Sequence, residues 1–352
     1  SKVTPDMVRT SLAADRPTYF DLLNLLSPAA AQPGFREALR ETAMKARRRY
    51  YGKTVSIFAP LYISNTCVNS CRYCDFNITH HAERKILTLD EIRMECDAIR
   101  KHGIDSLLIV AGEDPKHMTV DYLCEVGRML KDTFSCLSLE VAPQEEDAYR
   151  KLFEAGYESL ICFQETYEKD LYKYLHPAGP KSVYDFRVWT QLRAGKAGFR
   201  TLGIAFLLGL APWRIEAASL GAHAFYLMKE CYRSRIQFAF PRITPMSGGF
   251  QPEHPVNEED LELMMLVFRI VFPECGMTVS TREDPEFRDR IVQTAADNMS
   301  AGSRVTPGGY AVLADKDVAQ FTLNDSREPE DIYKAIHSNG QEVVFKNWDK
   351  RI

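Results

Sequence analysis

Apolar, β-branched runs recur eight times along this chain, near residues 54–63, 105–110, 136–142, 158–164, 200–207, 236–241, 276–281 and 297–302, with helical patterns between them. Parallel strands need a long crossover, usually a helix. A strand followed by a helix, repeated eight times, predicts an α/β fold of the TIM type, a closed parallel (β/α)8 barrel. The last run is only faintly apolar. Helix signals agree with this spacing: 34–51 stops at Gly52, and Thr88-Leu89-Asp90-Glu91 is a capping box whose helix closes at Gly103. Another helix starts at Ser182 and Asp185 and ends near Gly195–Gly198, and a further one starts at Asn257-Glu258-Glu259-Asp260. The expected division is a helical extension over 1–53, a barrel over 54–309 and a C-terminal extension over 310–352, with a helix at Pro329–His337 and an edge strand at Glu342-Val343-Val344-Phe345.

In such a barrel the chemistry gathers on the loops after the strands. The first of these loops holds Cys67, Cys71 and Cys74 in the spacing C-x3-C-x2-C. Three thiolates can wrap one corner of an iron–sulfur cluster, whereas ordinary clusters take four, so one iron stays open to a reacting ligand. A zinc site adding His80 or His81 is the alternative, although structural zinc usually draws two separated pairs of ligands. A closed cluster would need Cys96 or Cys162, and both lie in apolar patterns that read as core. His80 and His81 read better as loop residues. Nine cysteines with metal-like spacing argue against disulfides.

Composition removes other classes. A net charge of −4 gives no electrostatic case for nucleic acid. The longest apolar run, Leu202–Trp213, is 12 residues with two glycines, too short to span a bilayer. With no signal peptide at the start, a reducing cytoplasm is the expected compartment. The missing initial Met points to processing or absent leading residues.

The three-cysteine motif resembles the radical S-adenosylmethionine (SAM) superfamily. That resemblance implies a 4Fe-4S cluster whose open iron is chelated by the amino and carboxylate groups of SAM. It implies that Phe76, two places after Cys74, touches adenine. It implies that Ala111-Gly112-Glu113, at the end of the second strand, stands where a Gly-Gly-Glu turn meets the SAM amino group; as a bare residue Gly112 is simply a turn. Glu165 could accept from the amino or ribose groups of SAM, or cap the next helix. Ile204 and Leu208 would form an apolar wall for adenine, or ordinary core.

A narrower likeness rests on Phe58-Ala59-Pro60-Leu61-Tyr62-Ile63-Ser64-Asn65-Thr66-Cys67, Phe163-Gln164-Glu165-Thr166-Tyr167, Phe240-Pro241-Arg242, Ser280-Thr281-Arg282-Glu283 and Phe287-Arg288-Asp289. These resemble the aromatic amino acid lyases, and within them the tyrosine lyases of thiazole biosynthesis. The likeness runs from Leu22–Pro28 through Pro307-Gly308-Gly309-Tyr310 to Lys346-Asn347-Trp348-Asp349. The branch that matures hydrogenase carries a second cluster on C-terminal cysteines, whereas Cys275 is the last cysteine here. The tryptophan branch matches less well at both ends.

The implied reaction is cleavage of the Cα–Cβ bond of L-tyrosine to 2-iminoacetate and p-cresol, through a 5′-deoxyadenosyl radical that takes an amino hydrogen. The substrate carboxylate needs a cation, and arginine binds it bidentately. Arg242 is the first choice, with Arg282, Ser280 and Thr281 as second-rank contacts and Tyr62 as a hydroxyl donor. Bland readings stand beside these: Arg282 and Glu283 as an ion pair, and Tyr62 as a core aromatic with a wet tip. Implied partners are a thiazole synthase subunit and a flavodoxin or ferredoxin as electron donor. The alternatives are a lyase for another aromatic amino acid such as tryptophan, or a non-catalytic iron–sulfur or zinc protein.

Overall fold

The computed structural model describes residues 2–80, 83–244, 249–312 and 319–345. Strands β1 (Thr54–Ser64), β2 (Ser106–Ala111), β3 (Cys136–Glu140), β4 (Ser159–Glu165), β5 (Thr201–Phe206), β6 (Arg235–Ala239), β7 (Gly276–Val279) and β8 (Asn298–Ser300) pair in parallel in chain order. β8 returns to β1 through Ser56–Asn298 and Phe58–Ser300, and β1 meets β2 from Ala59 onward, so the sheet closes on itself. All eight expected strands form. β8, the faintest in sequence, is only three residues long yet pairs with both neighbours.

Alternation along β1 shows how the sequence sorts its faces. Val55, Ala59, Leu61 and Ile63 are fully buried in the main core beneath the helices, and Phe58, Pro60 and Tyr62 line the lumen. Outside β6, Phe238 and Phe240 pack on Phe268 of the Glu258–Val271 helix with ring centroids 4.9 and 5.1 Å apart. Truncating a buried phenylalanine of this kind costs about 3–5 kcal/mol.

Two fully buried arginines tie the lower pole together. Arg47, on the Pro33–Tyr51 helix, donates to the carbonyls of Ala296 (2.8 Å) and Thr54 (2.9 Å). Arg269 donates to the carbonyls of Ala295 and Cys275 and pairs with Asp297 at 2.5 Å. Each carries backbone acceptors that would otherwise be orphaned where strands begin.

The helix that opens at Thr88 carries the capping box and ends at Arg100. The helix expected from Ser182 differs: it is split into Pro180–Ser182, Tyr184–Val188 and Thr190–Ala197, with the break at Trp189. β-Branched and aromatic residues crowd the turn there, and Arg193 takes the Phe186 carbonyl at 2.8 Å. Ahead of that break, Lys181 lines the lumen, while Arg187 reaches the Phe163 carbonyl and Glu165. The final strand β9 (Glu342–Val344) pairs with Thr54–Ser56 of β1, below the start of the β1–β2 ladder. Ile332 and Ile336 of the Pro329–Ser338 helix join the same core as the barrel. No helix among the described residues is long and apolar enough to cross a membrane. Lys346-Asn347-Trp348-Asp349 and His81 lie outside the described residues.

Candidate active site

The cysteine loop leaves the top of β1 and is gripped from three directions. Arg84 gathers the carbonyls of Asn65 (2.7 Å), Phe76 (3.0 Å) and Asn77 (2.7 Å), and Asn77 donates to the Cys71 carbonyl (2.9 Å). Asn69 donates to Glu113 (2.7 Å) and to the Cys67 sulfur (3.5 Å), while its amide oxygen accepts from the Lys181 N–H (2.9 Å). The Gly112 N–H donates to Ser64 O at 3.1 Å, and Glu113 O accepts from Val68 at 2.8 Å. A Cβ at Gly112 would stand 2.3 Å from Thr66 O and 3.1 Å from the Cys67 Cβ. The glycine is there because two backbones touch. Ala111-Gly112-Glu113 therefore braces the cysteine loop, and two of its backbone groups are committed to that contact.

Cys71 is buried and Cys67 and Cys74 are half-buried, all as free thiols. Burial raises the Cys71 thiol and pushes Cys74 up to about 12, and the sulfurs act on one another electrostatically. Around them pack Tyr73, Leu175, Leu207 and Leu210. His80 lies 3.8 Å from Asp75, and the other six cysteines are buried, Cys96 and Cys162 among them. Among the described residues, no three His, Cys, Asp or Glu side chains are gathered as a single-ion site. Three thiols on one braced loop, in an apolar collar beside a cavity, are a donor set that fits a cluster corner.

The lumen above the barrel core holds a cavity of about 220 Å³, walled on one side by Cys74 and Tyr73. Of the expected apolar contacts, Ile204 lines it. Phe76 and Leu208 do not: Phe76 packs edge-on against Tyr62 (6.0 Å), and Leu208 belongs to the main core. Their neighbours Tyr73 and Leu207 take the wall instead. A strand end can swing by one residue, as for Leu207 and Leu208, and the fold of a loop decides which of its rings turns inward, so spacing alone settles neither.

Glu165 has φ +72, and the β4–β5 register slips beside it, so the carboxylate is swung into the lumen. Non-glycine residues rarely hold that conformation without a functional or packing reason. Its partners are Lys181 at 2.7 Å and Arg187 at 3.6 Å. Burial alone would raise its pKa, but the two cations outweigh burial and hold it below the ordinary value.

Ser280, Thr281 and Arg282 all line the cavity. Arg242 is committed elsewhere. It forms a two-pronged ion pair with Glu283 (Nε to Oε1 3.0 Å) and donates to Val256 O at 3.1 Å. The carboxylate that could have paired with Arg282 is thus held by Arg242. Among the described residues the Arg282 guanidinium makes one hydrogen bond, to Arg242 O at 3.3 Å, and it stacks 3.5 Å above the Phe321 ring. Burial lowers its pKa. Tyr62 donates to the Gln320 side chain at 2.5 Å, and burial raises its pKa well above normal. Gln320 and Phe321 come from the C-terminal stretch expected only as an extension, and both are part of the cavity wall. Nothing in their local sequence marks them. Glu140, at the end of β3, was not among the expected residues either; it lines the cavity, and its pKa is raised to about 7, chiefly by burial and then by Glu165.

Comparison with known proteins adds an independent line. The Radical SAM superfamily pattern matches residues 61–219, and that of the Biotin and Thiamin Synthesis associated domain matches residues 239–342. The 2-iminoacetate synthase of Salmonella typhimurium (strain LT2) is 36% identical over 343 residues, 97% of this chain and 90% of its own. That of Escherichia coli (strain K12) is 37% identical over the same shares. Among solved structures, HydG, a maturase of the [FeFe]-hydrogenase, superposes with TM-score 0.90 at 30% identity, covering 97% of this chain and 75% of HydG. Methylornithine synthase (PylB) shares the fold, with TM-score 0.74 at 20% identity over 96% and 97%. A near full-length match, two family patterns and a three-thiol loop at the mouth of a parallel barrel agree: the chain belongs to the 2-iminoacetate synthase family of radical SAM proteins.

Proposed function

We propose that this chain is a radical SAM carbon–carbon lyase that splits L-tyrosine into 2-iminoacetate and p-cresol for the thiazole of thiamine. The observation that carries this reading is the 36–37% identity to 2-iminoacetate synthases across nearly the whole chain. Cys67, Cys71 and Cys74 would hold the cluster. Tyr73, Ile204 and Leu207 would flank adenine, and the charged set Glu165, Lys181 and Arg187 would meet the polar parts of SAM. When bound, the cluster and SAM supply a 5′-deoxyadenosyl radical, a strong hydrogen-atom abstractor.

Every other task falls to the chain. The Arg282 guanidinium faces the cavity without a carboxylate partner among the described residues and would take the tyrosine carboxylate, supported by Ser280, Thr281 and the Tyr62 hydroxyl. Arg242, already paired with Glu283, would hold the loop after β7 in place. Phe321 above Arg282 and the apolar collar around the cysteines would keep water from the radical. The imine is unstable in water, so a thiazole synthase subunit would receive it, and a flavodoxin or ferredoxin would deliver the electron. The test is anaerobic: reconstituted protein, SAM and reductant, with tyrosine or tryptophan in parallel. p-Cresol and glyoxylate, the hydrolysis product of the imine, are expected from tyrosine alone; 5′-deoxyadenosine without p-cresol would overturn tyrosine as the substrate.

A further inference from the structure

The charges on the cavity wall do not all cancel within the protein. Glu165 is neutralised by Lys181 and Arg187, and Glu283 by Arg242. Two charges remain. Among the described residues Arg282 has no carboxylate partner and Glu140 has no hydrogen bond or ion pair. Glu140 ends β3 and Arg282 follows β7; in an eight-stranded ring these strands stand on opposite walls. One unpartnered cation facing one unpartnered anion across a lumen complements a molecule carrying both charges close together. An α-amino acid is such a molecule.

We propose that Glu140 receives the ammonium group of the substrate amino acid and takes its proton, leaving the neutral amine from which a hydrogen atom is then abstracted. This rests on the tyrosine lyase reading and deepens it. An unpaired carboxylate on a desolvated wall is costly unless it is protonated or meets a cation. The groups that face it are Tyr62 from β1, Glu165 from β4, Lys181 and Arg187 from the stretch after β4, and Arg282 beyond β7. Burial and Glu165 outweigh the three cations, so the carboxyl titrates at about 7, suited to accepting a proton near neutrality.

The step balances. Tyrosine ammonium and Glu140 carboxylate become tyrosine amine and Glu140 carboxylic acid, with one N–H bond broken, one O–H bond formed and no change of oxidation state. The proton is not wasted. After Cα–Cβ cleavage, the 4-hydroxybenzyl fragment becomes p-cresol by gaining one electron from the low-potential donor and one proton, and Glu140 holds that proton.

The experiment compares wild-type holoenzyme with Glu140→Gln and Glu140→Asp. Iron content and SAM affinity are measured first, then tyrosine affinity with SAM but no reductant, from pH 6 to 9, and finally turnover over the same range. Glu140→Gln is expected to keep its iron and its SAM affinity, to bind tyrosine more weakly, and to lose at least about 100-fold in kcat. The acid limb of the wild-type kcat/KM profile should vanish in Glu140→Gln and persist in Glu140→Asp, which should recover at least about tenfold of the lost rate. The proposal is overturned if Glu140→Gln stays within about threefold of wild type with its acid limb intact. It is also overturned if that variant loses SAM affinity, which would place Glu140 on the cofactor. Wild-type protein that makes 5′-deoxyadenosine but no p-cresol would overturn the lyase reading itself, a failure seen before any variant is examined.

Discussion

Replacing Gly112 by alanine adds one methyl group where the chain presses directly on the cysteine loop. The new Cβ would lie 2.3 Å from Thr66 O, 2.9 Å from Thr66 C and 3.1 Å from the Cys67 Cβ. Ordinary contact is near 3.5 Å, so one backbone segment must retreat by roughly 1 Å. Neither segment yields readily. Gly112 is bonded to Ser64 O at the end of the β1–β2 ladder, and the loop is held by Arg84, Asn69 and Asn77. Overpacking of this kind costs about 1–3 kcal/mol, and about 2–6 °C in Tm for a chain of this size. The loop is the element that moves, because β2 is fixed on both sides by the sheet, and Cys67 moves with it. The assay pairs Tm of the apo protein with iron and sulfide content after anaerobic reconstitution. Gly112→Ala should fold, lose those few degrees and hold less than about half the wild-type iron, since a displacement of about 1 Å at a site wall is enough to spoil it. Full iron loading at wild-type Tm would refute the bracing role.

Further expectations follow from the charged groups. Arg282→Met should raise the KM for tyrosine about 10- to 100-fold, the value of a lost charge-assisted pair of about 1.5–3 kcal/mol; Arg242→Met, which frees Glu283, should lower Tm more and raise the KM for tyrosine less, and steady-state kinetics beside thermal melts separate the two. Lys181→Met leaves Glu165 with Arg187 alone and should cost about 3 kcal/mol, the lower end for breaking a buried pair. Because Glu165 titrates below its usual 4.5 in the folded chain, that pair stabilises above pH 4.5 and fades as the carboxylate takes up a proton. The gap in urea midpoint between wild type and Lys181→Met should therefore be full at pH 7 and shrink below pH 4.5. Glu140 has the opposite sign: with a folded pKa of about 7, its ionisation weakens the fold as pH rises from 4.5 to 7. Glu140→Gln should make the apo protein more stable than wild type at pH 8, by about 1–3 kcal/mol, and no different near pH 4.

The barrel was legible because its strands are short apolar runs at regular intervals and its helices carry caps such as Thr88 and Asn257. Even β8 fell where the interval required it. The cysteine loop stood out for a different reason: three thiols within eight residues have few uses other than ligation. What escaped was orientation. Which of Leu207 and Leu208 lines the cavity turns on a one-residue shift past the end of β5, and which ring of the cysteine loop does, Tyr73 or Phe76, turns on how that loop folds. Arg242 looked free because Glu283 lies 41 positions away, and only the closed barrel brings them together. Gln320 and Phe321 carry no pattern at all; they reach the lumen because the chain folds back over the top of the barrel. Glu140 was invisible because an end-of-strand glutamate is ordinary until its neighbours prove unable to neutralise it.

The central claim, that this chain cleaves tyrosine after abstraction of an amino hydrogen, is tested most directly by a single turnover in D2O. Amino hydrogens exchange with solvent, whereas hydrogens on carbon do not. With tyrosine, SAM and a reductant, 5′-deoxyadenosine should gain one deuterium at the methyl carbon and appear in equal amount with p-cresol and glyoxylate. Unlabelled 5′-deoxyadenosine formed alongside p-cresol would place the abstraction on carbon and contradict the account.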